Sequence, residues 1–195
     1  MTEQPSLVEL DPVERHRTVA GRFADVVRAV DDWDAPTPVG GWAALDVVRH
    51  LVEWFPAFLA SGGIDLPTGP SVEDDPVAAW DARRRAVQGL LDDPAVASGG
   101  FSHPQAGTHR LADAVDRFYT ADVFMHTWDL ARAVDRDPVL DPAWCDEILA
   151  GMAPMDEMLR ASGHYGPRVA VAGDADAQAR LIGFIGRDPD WRPDR

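Results

Sequence analysis

The chain has 195 residues, of which 46% are apolar, and this composition predicts a single folded core and excludes a wholly disordered chain. Its formal net charge is −15, which argues against a nucleic-acid partner because such a partner requires a basic face to neutralise phosphates. No apolar run approaches the length of a membrane span and the acidic N-terminal stretch lacks the apolar segment of a secretory signal, so we expect a cytoplasmic protein with no membrane partner.

Aspartate–proline pairs mark three of the predicted helix starts. Aspartate caps the free N–H groups of a first turn, and proline is tolerated at the first helical position. The pairs predict a first helix after Asp11-Pro12, a third from Asp75-Pro76 to about Leu91, and a fifth after Asp141-Pro142 with a bend at Pro154. Apolar residues at helical spacing predict a second helix from about Ala43 to Ala60, kinked at Pro56.

The fourth predicted helix is the longest and runs from Arg110 to Val134 without proline or glycine. Residues 92–109 before it are expected to be a loop with at most a short extended piece, and a short helix is expected from Asp176 to Ile185. No segment alternates with period two for long, so we predict an all-α fold. We expect a four-helix bundle over residues 1–160 with one long crossover connection, and a short C-terminal extension over residues 161–195 packed on the same domain.

Asp122 lies inside the apolar face of the fourth helix, where an ionised carboxylate is costly unless a cation, a metal or hydrogen bonds compensate it. His126 follows at i+4 and therefore projects from the same side of the helix. A carboxylate and an imidazole at this spacing can bind one metal ion. From the spacing alone, an Asp122 that pairs with an arginine or caps a backbone group is an equal alternative.

Two stretches of the chain resemble a known family. GWAALDVVRHLVEW (Gly41 to Trp54) and HTWDLARAVDRDP (His126 to Pro138) are similar to the DinB-like superfamily of metal-binding bundles. The closer similarity is to the actinobacterial branch that includes the N-terminal domain of mycothiol-dependent maleylpyruvate isomerase. The C-terminal stretch GHYGPRVAVAGDADAQARLIGFIGRDP resembles that of small single-domain members.

The resemblance implies that His50, Asp122 and His126 hold one divalent metal. Zinc is the favoured ion, with nickel, iron and manganese as alternatives, and two imidazoles with one carboxylate leave positions for water or substrate. Asp129 belongs to the Trp-Asp of the family motif, and we interpret it as an acceptor that orients a ligand or tethers a neighbouring helix. The family's acidic ligand is glutamate, whereas this chain has aspartate. The isomerase also uses a further C-terminal domain, so isomerisation of maleylpyruvate is not implied.

The chain has no Ser-His-Asp order and no phosphate loop, so any chemistry is expected to depend on the metal. We expect a mycothiol-dependent transferase or isomerase-like enzyme that acts on a small electrophile, with a low-molecular-weight thiol as co-substrate. A metal-dependent hydrolase and a non-catalytic metal- or ligand-binding module are the alternatives. No catalytic residue beyond the metal ligands is assigned, and a homodimer is compatible with the resemblance.

The remaining conspicuous residues have simpler interpretations. Four histidines are expected at the surface or in loops, with the mouth of a pocket as an alternative for the second and third: His16, His103, His109 and His164. Three tryptophans are expected in the core, with a pocket wall as the alternative: Trp42, Trp54 and Trp128. The run Arg83 to Arg85 is expected to be a solvated helix face, with an anionic substrate as the alternative. The lone Cys145 excludes an internal disulfide, and we interpret it as a small buried residue.

Overall fold

The computed structural model describes residues 5–161, 163 and 165–193. This part of the chain is mostly helical, with one two-stranded antiparallel sheet, which confirms the predicted helical class. The helices are α1 (Pro12–Val27), α2 (Ala44–Ser61), α3 (Pro76–Leu91), α4 (Pro94–Ala97), α5 (Leu111–Ala114), α6 (Ala121–Ala133), α7 (Pro142–Met152), α8 (Asp156–Ala161) and α9 (Ala177–Phe184). The strands are β1 (Gly100–His103) and β2 (Gly107–Arg110). None of the helices in these ranges is long and apolar enough to cross a membrane.

The aspartate–proline pairs begin helices as predicted. The side chain of Asp11 accepts hydrogen bonds from the first turn of α1, and Asp75 and Asp141 do the same for α3 and α7. A fourth pair, Asp93-Pro94, was not predicted to begin a helix. It lies in the segment predicted to be a loop, and Asp93 caps the short helix α4 there. The rest of that segment forms the hairpin of β1 and β2, in which Gly100 pairs with Arg110.

The predicted fourth helix is continuous from residue 111 to residue 133, and we call this stretch the long helix. It consists of α5, a π-helical turn at Val115–Thr120, and α6. Helix α1 packs against α3 and against the long helix, and α2 packs against α3 and α6. Helix α9 packs against α7. The apolar side chains between these helices form one core cluster.

Pro56 lies inside α2, and the helix continues through it to Ser61. Because proline has no N–H, the carbonyl of Val52 loses its usual helical donor. Nε of Arg83 on α3 donates to that carbonyl at 3.0 Å. Arg83 is therefore buried, which corrects the expectation of a solvated face for this residue, whereas Arg85 is exposed.

His16 was expected at the surface or in a loop, and this expectation is wrong. Its side chain is fully buried in α1, stacks on Tyr119 of the π-helical turn, and places Nδ1 2.8 Å from Oε1 of Gln88 on α3. Cys145 is buried as predicted, and burial raises the pKa of its thiol to about 12. His164 lies outside the described residues.

The bend predicted at Pro154 coincides with a 3-10 segment, Ala153–Met155, between α7 and α8. Helix α9 begins one residue after Asp176, whose side chain accepts from the amide of Ala179, and it ends at Phe184. The short C-terminal helix was therefore predicted to within one residue at each end. It brings the residues that follow it, including Arg187, against the long helix.

Candidate metal centre

The three ligands implied by the resemblance come together between α2 and the long helix. His50 lies on α2, and Asp122 and His126 lie one turn apart on α6. Nε2 of His50 is 3.0 Å from Oδ2 of Asp122, and Nε2 of His126 is 3.5 Å from Oδ1 of Asp122. One ligand atom from each of the three residues lies within 4.8 Å of the others, so the group could hold a metal ion.

The π-helical turn ends two residues before Asp122 and contacts α2 through Tyr119. Tyr119 in this turn is fully buried, and its hydroxyl donates to the carbonyl of Leu51 at 2.9 Å. Leu51 is the residue after His50, so this hydrogen bond fixes the long helix against α2 next to the site. Single π-helical turns inside longer helices occur frequently at functional sites.

Asp122 is an ionised acceptor that receives two hydrogen bonds. Nε1 of Trp54 donates to Oδ2 at 3.0 Å, and Nε2 of His50 approaches the same oxygen. Burial opposes ionisation of this carboxyl, but the nearby His126 and the hydrogen bonds from His50 and Trp54 outweigh it, so the pKa of Asp122 lies below its usual value. The side chain is 14% exposed, so the site remains accessible from solvent.

His126 is oriented by Asp129, which is three residues further along the same helix. Nδ1 of His126 is 2.8 Å from Oδ2 of Asp129. An ionised carboxylate can only accept, so Nδ1 of His126 donates to Asp129. The other ring nitrogen, Nε2, is then left on the side of Asp122, whose Oδ1 lies 3.5 Å away. Imidazole nitrogen and carboxylate oxygen are both ligands of divalent metals, so the residues fit a metal.

Asp129 is fully buried and also contacts the C-terminal segment. Nε and Nη2 of Arg187 donate to its two oxygens at 3.3 and 3.2 Å. Burial opposes ionisation of Asp129, but Arg187 and the hydrogen bond from His126 outweigh it and hold the pKa of Asp129 below its usual value. Asp129 thus makes both contacts that its inward position suggested, one to a ligand and one to another segment. Arg187 was missed by the sequence analysis.

Aromatic rings enclose the two imidazoles. The ring of Trp42 lies 5.8 Å from that of His126 at an interplanar angle of 14°, and 5.3 Å from that of His50. The ring of Trp54 lies 6.1 Å from that of His50. Trp42 and Trp54 are half-buried beside the candidate ligands, so they are better described as walls of a pocket than as core residues. Trp128 is a core residue, as predicted.

His103 and His109, the other two histidines considered for the site, lie on the hairpin. His103 stacks on Phe58 of α2 with ring centroids 4.4 Å apart, and His109 lies edge-on to Phe118 of the long helix. Neither belongs to the group of His50, Asp122 and His126. Phe58 also contacts Trp54, so the hairpin is joined to the site through aromatic side chains.

The net charge of the site depends on its two imidazoles. Arg187 neutralises Asp129, so Asp122 is the single charge among the ligands when both imidazoles are neutral. A bound divalent ion would give the group a net charge of about +1, which favours an anionic ligand. Three protein ligands also leave coordination positions for water or for such a ligand, as in catalytic sites.

Comparison with known proteins finds two similar sequences, both from Mycobacterium tuberculosis. They are Uncharacterized protein Rv0738 of strain H37Rv and Uncharacterized protein MT0763 of strain CDC 1551, each 29% identical over 154 residues. The similarity covers 72% of this chain and 77% of each relative. No protein-family model matches the chain, and no solved structure matches it significantly.

Proposed function

We propose that the protein is a DinB-like four-helix bundle that binds one divalent metal ion, with zinc as the first choice, through His50, Asp122 and His126. The packing of α1, α2, α3 and the long helix supports the bundle. The observation that carries the proposal is the convergence of one ligand atom from each of His50, Asp122 and His126, which all lie within 4.8 Å of one another.

The activity that we propose is transfer or isomerisation of a small electrophile with the help of an external thiol such as mycothiol. When bound, the metal would lower the pKa of a coordinated thiol and so supply a thiolate at neutral pH. The protein offers no thiolate of its own, because burial raises the pKa of Cys145 to about 12. The protein residues bind and orient: Asp122 supplies the charge, Asp129 orients His126, and Trp42 and Trp54 form aromatic walls beside the two imidazoles.

Metal binding is tested by titrating the chelator-treated protein with zinc and measuring stoichiometry and affinity by calorimetry. We expect one ion per chain in the wild type and at least a hundredfold weaker binding in Asp122→Asn and His126→Ala. Asp113→Asn is a matched control, because Asp113 lies on the same helix with a side chain that is 48% exposed and is expected to leave affinity unchanged. Equal zinc affinity in the wild type and in both ligand variants would refute the metal site.

The thiol proposal is tested separately by measuring binding of mycothiol to the zinc-loaded and the zinc-free protein. We expect binding that requires zinc and is lost in Asp122→Asn. No binding to the zinc-loaded protein would refute the thiol proposal and leave the metal site intact. Turnover of a model ester without any thiol would instead indicate a metal-dependent hydrolase.

A further inference from the structure

A buried chain of hydrogen bonds extends from the candidate metal centre to the C-terminal segment. Asp129 lies in its middle and is fully buried. One of its oxygens, Oδ2, is 2.8 Å from Nδ1 of His126 and 3.2 Å from Nη2 of Arg187. Its other oxygen accepts from Nε of Arg187 at 3.3 Å. The guanidinium therefore contacts both oxygens and fixes the plane of the carboxylate.

The segment that carries Arg187 is itself held in place. Nη1 of Arg187 donates to the carbonyl of Ile185 at 2.8 Å, so the guanidinium is anchored to its own backbone. Gly186 between them has φ +86°, and its backbone lies against that of Gly166, where a Cβ would approach the carbonyl at 2.9 Å. The tight turn after α9 thus aims Arg187 at the long helix.

The two imidazole ligands differ in how they are held. His126 has Asp129 on its Nδ1, and its Nε2 is therefore free to bind a metal without rearrangement. Nδ1 of His50 has no hydrogen-bond partner among residues 5–161, 163 and 165–193, and its Nε2 is the atom that faces Asp122. Because Asp129 contacts the ring of His126 and not that of His50, a change at Asp129 should act on the metal centre through His126.

We propose that Arg187 is a positioning residue of the metal centre: by holding both oxygens of Asp129 it fixes the Nδ1–H tautomer and the ring orientation of His126. The inference rests on the proposed metal site and extends it to the C-terminal segment. Removing a hydrogen-bond partner of this kind from a metal ligand typically weakens metal binding by about 10- to 100-fold. Lysine retains the charge of arginine but lacks the planar fork that contacts two oxygens at once.

The first measurement is the zinc affinity of Arg187→Gln and Asp129→Asn, determined by competition with a chromophoric chelator. We expect each variant to bind zinc about 10- to 100-fold more weakly than the wild type. Because both substitutions act on the same ring, the zinc affinity of the double variant should be no lower than that of the single variant that binds zinc more weakly. Arg180→Gln is the matched control. Arg180 is in the same segment and forms an exposed ion pair with Asp146, so its loss is expected to leave zinc affinity unchanged.

The second measurement reports on the tautomer directly and needs no metal. The ¹⁵N chemical shifts of the His126 ring in the zinc-free protein should indicate protonated Nδ1 in the wild type and in Arg180→Gln, and a mixture of tautomers in Arg187→Gln. Arg187→Lys should recover part of both the affinity and the tautomer, and it replaces Arg187→Gln if that variant does not fold. An unchanged tautomer or an unchanged affinity in the folded Arg187 variant would overturn the inference. Absence of zinc binding in the wild type would refute the metal site, and the tautomer measurement would still decide the role of Arg187.

Discussion

Acid should destabilise the protein through His16, a core residue that is not part of the candidate metal centre. Its side chain is fully buried between α1 and α3, where Nδ1 donates to the carbonyl oxygen of the Gln88 side chain. Nε2 has no hydrogen-bond partner within the described ranges. Burial lowers the pKa of His16 from 6.5 to about 4, and the hydrogen bond with Gln88 offsets this effect only in part.

The sign of the effect follows from this lowered pKa. The unfolded chain binds a proton on His16 below about pH 6.5, whereas the folded protein keeps the ring neutral until about pH 4. The stability associated with the neutral ring is therefore fully present above pH 6.5 and is lost as the pH falls toward 4. Each pKa unit corresponds to about 1.4 kcal/mol, so His16 alone should reduce the free energy of unfolding by about 2.5 kcal/mol between pH 7 and pH 4.5.

The assay is urea unfolding of the zinc-free protein at both pH values, with His16→Gln as the test variant. Glutamine cannot be protonated and retains an N–H donor for Gln88, so this variant should lose about 2.5 kcal/mol less than the wild type over the same interval. Thr18→Ser is the control, because Thr18 lies on the same helix α1 and has no titratable side chain. It should lose as much as the wild type. Identical losses in the wild type and in His16→Gln would refute the reasoning.

Three further predictions concern the same core. Arg83→Met removes the donor to the Val52 carbonyl, and Pro56→Ala supplies a backbone N–H in its place. In urea unfolding, Arg83→Met should therefore lower the free energy of unfolding by about 1 kcal/mol less in the Pro56→Ala background than in the wild type. An equal loss in both backgrounds would contradict the role of Arg83 as the substitute donor. Burial raises the pKa of Asp116 to about 6, so the stability it contributes is present below pH 3.8 and lost as the pH rises through 6. The unfolding free energy of Asp116→Asn relative to the wild type should therefore increase by about 2 kcal/mol from pH 4 to pH 7, and a constant difference would argue against the raised pKa. Gly186→Ala should lower the thermal midpoint by several degrees, since φ is +86° there and a Cβ would meet backbone at 2.9 Å, and an unchanged midpoint would show that the turn can relax.

The helix starts could be predicted from the sequence because capping is a local interaction. Asp11, Asp75 and Asp141 each accept from amides two or three residues further along, so each motif contains its own partners. The same rule applies to Asp93, which was overlooked because its helix is only four residues long. Where the stabilising partner is adjacent in the chain, residue type and spacing are sufficient.

Other features depend on contacts that the sequence does not encode locally. Proline at position 56 predicts a kink, but it does not reveal that Arg83 on another helix will satisfy the freed carbonyl of Val52. For the same reason, nothing in the run of three arginines identifies the first as the buried one. The π-helical turn at Val115–Thr120 has no diagnostic residue either, and it shifts the helical phase just before Asp122.

The candidate site also contains residues that local spacing identifies and residues that it does not. Asp122 and His126 lie on one helix, and their i+4 spacing alone indicated that they would meet, which they do at 3.5 Å. His50 was identified only through the family resemblance, because a separation of 72 residues carries no information about contact. Arg187 was not identified at all. The available signal was Asp129, since a carboxylate predicted to face the core requires a cation somewhere in the chain.

Arginine partners distinguish two other carboxylates of the long helix from Asp122. Asp129 pairs with Arg187 and Asp116 pairs with Arg15, so each of these two is matched by a charge that persists at any physiological pH. In the part of the chain that the structure describes, the ion-pair partners of Asp122 are both histidines, His50 and His126.

Histidine compensates a carboxylate only when its ring is protonated, whereas arginine stays charged at any physiological pH. The three ligand atoms of His50, Asp122 and His126 converge without an arginine among them. Arginine supplies all 18 basic residues of this chain and pairs with Asp116 and Asp129, but it does not pair with Asp122 in the described residues. The group of His50, Asp122 and His126 could therefore hold a cation at a position where the other two carboxylates have an arginine, which is the role that we propose for it.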